Sequence, residues 1–216
     1  MKPVIILVLA SAAAVAAEPG RESFTDLRLA LGVASPITDA EAAGVVYETD
    51  PAIGPRLGVQ WVRGPATGET VLSLGIEFAY DDHRGTVSRA TGAQTVYGTG
   101  DTLLRTATVG LLPKLILRPD YGDPFDWGVG TMQIEFGLVL AGGVGWGRIG
   151  GSPPSDPCIA LRYGVRLDLV WTDPDSRWQG GVTLGWESVT AAPDLADDAS
   201  ISGSGICGGL ILGRRM

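Results

Sequence analysis

Ten charged side chains sit inside runs of the sequence that are otherwise apolar, and any chemistry has to start with them. They are Asp26, Arg28, Arg56, Glu77, Lys114, Glu135, Arg162, Arg166, Asp168 and Glu187, and each has an apolar residue beside it. Five are acids and five are bases, so on one enclosed face they can neutralise one another. A buried charge left without its partner costs several kcal/mol, which makes an internal ion-pair network the expected arrangement. A charged constriction in a narrow pore is the alternative. Glu77 and Glu135 would suit acid–base work in a cleft, but the arginines of the same set compete for them.

Other reactive types are few. His83 is the only histidine and lies beside Asp81 and Asp82. With Ser88 as nucleophile it could act as a general base in acyl transfer. No nucleophile stands at a telling spacing, so a solvated loop histidine is the expectation and no catalytic residue is assigned. One histidine cannot build a histidine-cluster metal site, and no cofactor is expected. Cys158 and Cys207 are the only cysteines. An oxidising compartment favours pairing them, yet they fall on strands that are not neighbours, ~9–10 Å apart across one intervening strand. A bridge needs Cys158 to lie in a loop, and the disulfide stays an open possibility. The glycine run 142–151, GGVGWGRIGG, precedes Ser-Pro-Pro rather than a helix, so it reads as a bending strand end and not a phosphate loop.

The elements that must position these charges show a side-chain period of two. Over residues 131–140, Met132, Ile134, Phe136, Leu138 and Leu140 share one face, with Gln133, Glu135 and Gly137 on the other. Over residues 158–171, Ile159, Leu161, Tyr163, Val165, Leu167, Leu169 and Trp171 oppose Cys158, Ala160, Arg162, Gly164, Arg166 and Asp168. Only a β-strand aligns such a set. The same alternation predicts strands near 25–34, 56–63, 70–81, 102–118, 178–187 and 201–214, eight in all. Pro113 interrupts the fourth of these and predicts a bulge, because a closed sheet has no edge to excuse a missing donor. The links between strands alternate long and short. Residues 86–91 and 95–99 look extended, so the outer links could be hairpins.

The fold class expected is therefore all-β, an eight-stranded antiparallel up-and-down transmembrane β-barrel. Its charges point inward and its apolar residues face lipid. A soluble ligand-binding barrel should show the reverse pattern. Trp61, Trp127, Trp171 and Trp178 fall at the short-turn ends of strands; Tyr80, Trp146 and Trp186 fall at the long-loop ends. Two aromatic girdles at the membrane–water boundaries account for that spacing. Residues 1–17 carry one lysine, an apolar core and small residues up to Ala17, the pattern of a secretory signal peptide, leaving residues 18–216 as the barrel. The net charge is −8, and an acidic chain without a basic patch argues against nucleic acid as a partner. High glycine, 32 residues, suits tightly packed, bending strands.

The signal, the amphipathic strands, the short inner turns and the charged inward positions make the chain resemble the small outer-membrane β-barrel superfamily of Gram-negative bacteria. That group includes the transmembrane domain of outer membrane protein A and the opacity-type barrels. The resemblance is architectural and spans the mature chain. It implies an outer-membrane location, contact with outer-membrane lipid and lipopolysaccharide, a monomer, and a structural or surface-interaction role without catalysis. An enzyme that modifies lipid A, a narrow porin and a soluble periplasmic binding barrel are the alternatives. Two departures stand out. The chain ends LILGRRM rather than in an aromatic residue, and no peptidoglycan-binding domain is expected after Met216. Asp194, Asp197 and Asp198 could gather divalent cations near lipopolysaccharide, with plain solvation the simpler reading.

Overall fold

The protein is described by a computed structural model covering residues 23–92, 95–118, 131–150, 152–194 and 199–216. The expected signal segment, Trp127, Asp197 and Asp198 lie outside these residues. Among the described residues there are ten strands: β1 (Ser23–Ala34), β2 (Asp39–Ala42), β3 (Val45–Ala52), β4 (Gly54–Pro65), β5 (Thr70–Thr91), β6 (Thr95–Leu117), β7 (Thr131–Arg148), β8 (Cys158–Thr172), β9 (Trp178–Ala191) and β10 (Ser200–Arg215). Every pairing is antiparallel. Eight of them, β1 and β4 to β10, pair in succession, and β1 pairs β10 to close the ring. The expected eight-stranded barrel is what forms.

β2 and β3 are not members of that ring. The long link after the first strand folds as a hairpin. β2 pairs β10 through Ser202↔Asp39, and β3 pairs β5 through Ala52↔Arg84. The hairpin thus bridges β10 to β5 above the ends of β1 and β4 and continues the wall there. Its turn places Ala43 and Gly44 at positive φ, 52° and 73°, a left-handed pair that suits a two-residue hairpin connection. Strands β5 and β6 continue through the extended stretches 86–91 and 95–99, and their upper ends pair as a hairpin up to Thr91↔Thr95.

The expected bulge at Pro113 does not form. The β5–β6 register passes through Leu74↔Pro113 without a shift. On the β7 side the ladder pauses between Leu111↔Leu140 and Lys114↔Gly137 and resumes in the same register. The missing N–H therefore costs ladder bonds but no extra residue. The bulge falls instead at Ser88, where both the β3 and β6 registers shift.

Glycine is required at the closing seam. Gly32 of β1 pairs Gly209 of β10. A Cβ on Gly32 would stand 2.0 Å from the Gly208 carbonyl oxygen, and one on Gly209 would stand 2.2 Å from that of Leu31. Only hydrogen fits where these backbones meet.

Apolar residues fill the two ends of the interior. Ile37, Leu104, Ile149, Ala160, Val189 and Ile201 form a cluster beneath the β2–β3 hairpin. Phe24, Val62, Val71 and Ile116 form a second cluster at the short-turn end. The Arg118 and Arg215 guanidinium groups lie 5.2 and 4.7 Å from the Phe24 ring centre, a cation–π cover on that plug. In the short β8–β9 turn, Asp173 accepts hydrogen bonds from the Ser176 hydroxyl and the Asp175 N–H, which hold its carboxyl below the usual range.

Candidate functional site

Alternation along each strand sends charges to the interior and apolar side chains out. The outward set includes Leu27, Leu57, Phe78, Val109, Phe136, Val165, Leu184 and Leu210, all exposed. On β8 the exposed face runs from Ile159 to Trp171, ~40 Å along the strand, or about 30 Å along the barrel axis at a tilt near 40°. Trp61, Tyr80, Trp171, Trp178 and Trp186 all project outward, between 36 and 59% exposed, and Trp146 shares that phase half-buried.

The ten inward charges are all buried, and the structure joins to them buried Asp81 and the partly exposed Arg215. They separate into two layers between the apolar plugs. In the layer nearer the long loops, Glu77 and Glu187 each engage Arg56, Arg162 and Arg166. Arg166 donates from Nη1 to Glu77 Oε1 at 2.7 Å and from Nη2 to Glu187 Oε1 at 2.7 Å. Arg56 donates to Glu187 Oε2 at 2.8 Å and to Glu77 Oε2 at 3.0 Å. Arg162 donates to Glu77 Oε2 and, at 3.3 Å, to Asp81 Oδ2. Gln60 donates to Glu77 Oε1 at 3.0 Å, beside Arg166. Three acids face three arginines.

The second layer has the same balance. Glu135 accepts both terminal nitrogens of Arg28 at 2.7 Å, and Lys114 Nζ at 2.8 Å. Lys114 also donates to Asp168 at 2.7 Å. Asp26 accepts from Arg28 at 2.8 Å, from Arg215 at 2.9 Å and from Gln179 at 2.9 Å. Three acids again face three bases, so each layer is neutral. Glu77 thus pairs with Arg162 and Arg166, and Glu135 with Lys114. The Arg28–Glu135 fork was not foreseen, since β1 and β7 lie far apart in sequence and meet only across the lumen.

This arrangement fills the interior. Every carboxylate of the two layers is ion-paired.

His83 corrects the sequence reading. It is not a solvated loop residue but part of β5, 1% exposed. Its Nδ1 lies 2.8 Å from the Ser35 carbonyl and 3.4 Å from the Ser35 hydroxyl; its Nε2 lies 3.4 Å from the Thr106 hydroxyl. The reason is phase: Asp81, His83, Gly85 and Val87 continue the inward face while Asp82 and Arg84 point out. Ser88, the nucleophile considered with it, stands five strand positions away, ~17 Å, and its hydroxyl donates to the Glu48 carbonyl. Ser35 touches the ring but is itself buried, so neither group is offered to a substrate.

Cys158 and Cys207 are both free thiols. Cys207 is opposite Gly185, and Gly185 is opposite Arg166, eight residues down β8 from Cys158. That is ~26 Å along the strand, far beyond the ~7 Å at which a bridge closes. The disulfide left open by the sequence is excluded by register. Asp194 is exposed, three residues beyond the end of β9.

No protein-family model matches the chain, and no curated protein matches it significantly.

Proposed function

We propose that this chain is a non-enzymatic β-barrel of a Gram-negative outer membrane, with a structural or surface-contact role in the envelope. One observation carries the reading: an apolar outer surface wraps a lumen filled by two neutral layers of paired charge. In water such a surface would drive aggregation, and in lipid it is the stable arrangement. Lipid tails then cover the outside, and lipopolysaccharide borders the barrel on its long-loop side. The resemblance to small outer-membrane barrels supports the same location, and the amino-terminal signal supplies the route.

The filled lumen supports a structural role over conduction. Eight strands enclose only enough width for side chains, and here those side chains pair across it. Two apolar plugs close the ends.

Density-gradient fractionation of producing cells tests the location. The chain is expected with the outer membrane, migrating faster on gels before boiling than after it. Recovery in the soluble periplasmic fraction would refute the reading. Lipid A composition is expected to be the same with and without the protein; a lost acyl modification would move the enzyme reading to the front.

A further inference from the structure

Just above the apolar belt, three arginines gather on one side of the barrel. The outward positions of β5 that follow Phe78 and Tyr80 are Asp82 and Arg84. On β6 they are Arg105 and Leu103, and on β7 Trp146 and Arg148. Register sets these in two rows, Asp82–Arg105–Trp146 and, above it, Arg84–Leu103–Arg148. Arg84 and Arg148 therefore flank Leu103 at about 9–10 Å, with Arg105 some 8 Å from each, close enough for all three to reach one group.

Arg84 and Arg105 are about half exposed. Asp82 ties Arg84 at 2.9 Å and stands 3.9 Å from Arg105, so it holds both in place but balances only one of them. Asp101, exposed, is the next outward residue on β6 and adds attraction toward Arg84. The Nε of Arg148 has no hydrogen-bond partner among the described residues. On β8, β9 and β10 the outward residues toward the long-loop ends include Ile159, Ser188, Thr190, Ser202 and Ser204, without a cation among them. In a chain of net charge −8, the one-sided basic cluster is not a general property of the rim.

Directly below lies a groove of about 460 Å³ in the outer face. Its walls are Phe78, Tyr80, Val109 and Val144, and its floor is Ala107 and Gly142. Small residues there open a trough that runs down the belt from the arginines.

We propose that this face holds a phosphorylated, multiply acylated glycolipid of the outer leaflet, lipid A, with phosphate on Arg84, Arg105 and Arg148 and one acyl chain in the Ala107–Gly142 groove. The inference rests on the outer-membrane reading, which puts this end of the barrel in the outer leaflet. Guanidinium groups bind phosphate through paired, charge-assisted hydrogen bonds, and the trough supplies the apolar half of the same ligand. The occupant is an amphiphile whose anionic head meets the cluster while its tail continues into the belt. A free phosphate would use only the first, and a neutral lipid only the second.

Native mass spectrometry of the folded full chain in detergent tests this, with purified bis-phosphorylated lipid A as probe. Dephosphorylated lipid A and phosphatidylglycerol are the comparison ligands. The Arg84→Gln/Arg105→Gln/Arg148→Gln variant is expected to bind lipid A at least tenfold more weakly, and removal of the phosphates to weaken wild-type binding as much. Ala107→Trp fills the groove while keeping all three arginines and should weaken binding several-fold, and Arg148→Gln alone, which breaks no ion pair among the described residues, should weaken it measurably. Faster migration of unboiled protein reports that each variant is folded. Unchanged lipid A binding by the folded triple variant, equal binding of dephosphorylated lipid A, or equal binding of phosphatidylglycerol would each overturn the proposal. Because binding is read in detergent, a wrong cellular location would appear in fractionation alone, separately from failure here.

Discussion

Replacing Glu77 with alanine should be among the most damaging single changes in the barrel. Its carboxylate accepts from Arg56, Gln60, Arg162 and Arg166 and is buried. Without it the upper layer holds three arginines against Glu187 and Asp81, one uncompensated positive charge in an enclosed lumen. Removing one partner of a buried pair costs about 3–5 kcal/mol. Each arginine keeps another acceptor: Glu187 lies 2.8 Å from Arg56, 3.2 Å from Arg162 and 2.7 Å from Arg166. That retained contact limits the loss to the range for one pair rather than three. Urea unfolding in lipid vesicles, followed by tryptophan fluorescence, measures it. Glu77→Ala/Arg166→Ala should be less destabilised than the sum of the single variants, because the second change removes the stranded charge. Glu48→Ala is the control, since its 3.4 Å pair with Arg89 is exposed and should matter by less than about 1 kcal/mol. A Glu77→Ala protein within about 1 kcal/mol of wild type would mean that water reaches the arginines and the layer is not closed.

At the closing seam, Gly209→Val puts a branched side chain where a Cβ already meets the Leu31 carbonyl at 2.2 Å; it should abolish the fast-migrating folded form on unboiled gels, while Gly180→Val, with open space around its Cβ, should retain it. His83→Ala should leave lipid A unchanged yet lower stability by roughly 1–3 kcal/mol, as the Ser35 carbonyl and Thr106 hydroxyl lose a buried partner. Both thiols should titrate in unfolded protein without any reductant, and in folded protein Cys158 should react before the buried Cys207. Purified protein should give no steady porin-like conductance in a planar bilayer, whereas voltage-independent channels would show that the two charge layers line a path.

Much of this architecture is legible in the sequence because a half-buried strand has to alternate. The period of two located all eight ring strands and put ten charges on the inward face. It failed where charge was read as exposure. The stretch Asp81–Asp82–His83–Arg84 looks like a loop by composition, yet the alternation runs straight through it, and following the phase would have found Asp81 and His83 in the lumen. Arg215, in the terminal Gly-Arg-Arg-Met, was missed for the same reason. The β2–β3 hairpin was hidden differently. Its first strand has four residues, too few for a period to show, and its turn uses alanine at positive φ, a residue no turn rule predicts there. That hairpin exists because β10 and β5 offer it edges, a tertiary cause with no local signal. Pro113 was read as a bulge on a sound local argument, but two flanking strands in fixed register left no room for an extra residue.

The central claim is that the barrel's outer face meets lipid while its paired charges are sealed within. Single spin labels placed in turn at residues 159–171 of β8, in a protein with both native cysteines replaced by serine and reconstituted into vesicles, test it most directly. Collision with oxygen, which enriches in lipid, should rise at Ile159, Leu161, Tyr163, Val165, Leu167, Leu169 and Trp171 and fall at the residues between, repeating every second position. A water-soluble nickel chelate should reach neither set along the middle of the strand. High chelate accessibility at Val165 and Leu167 would put that face in water, and at Arg166 and Asp168 it would show an open lumen; either result would contradict the account.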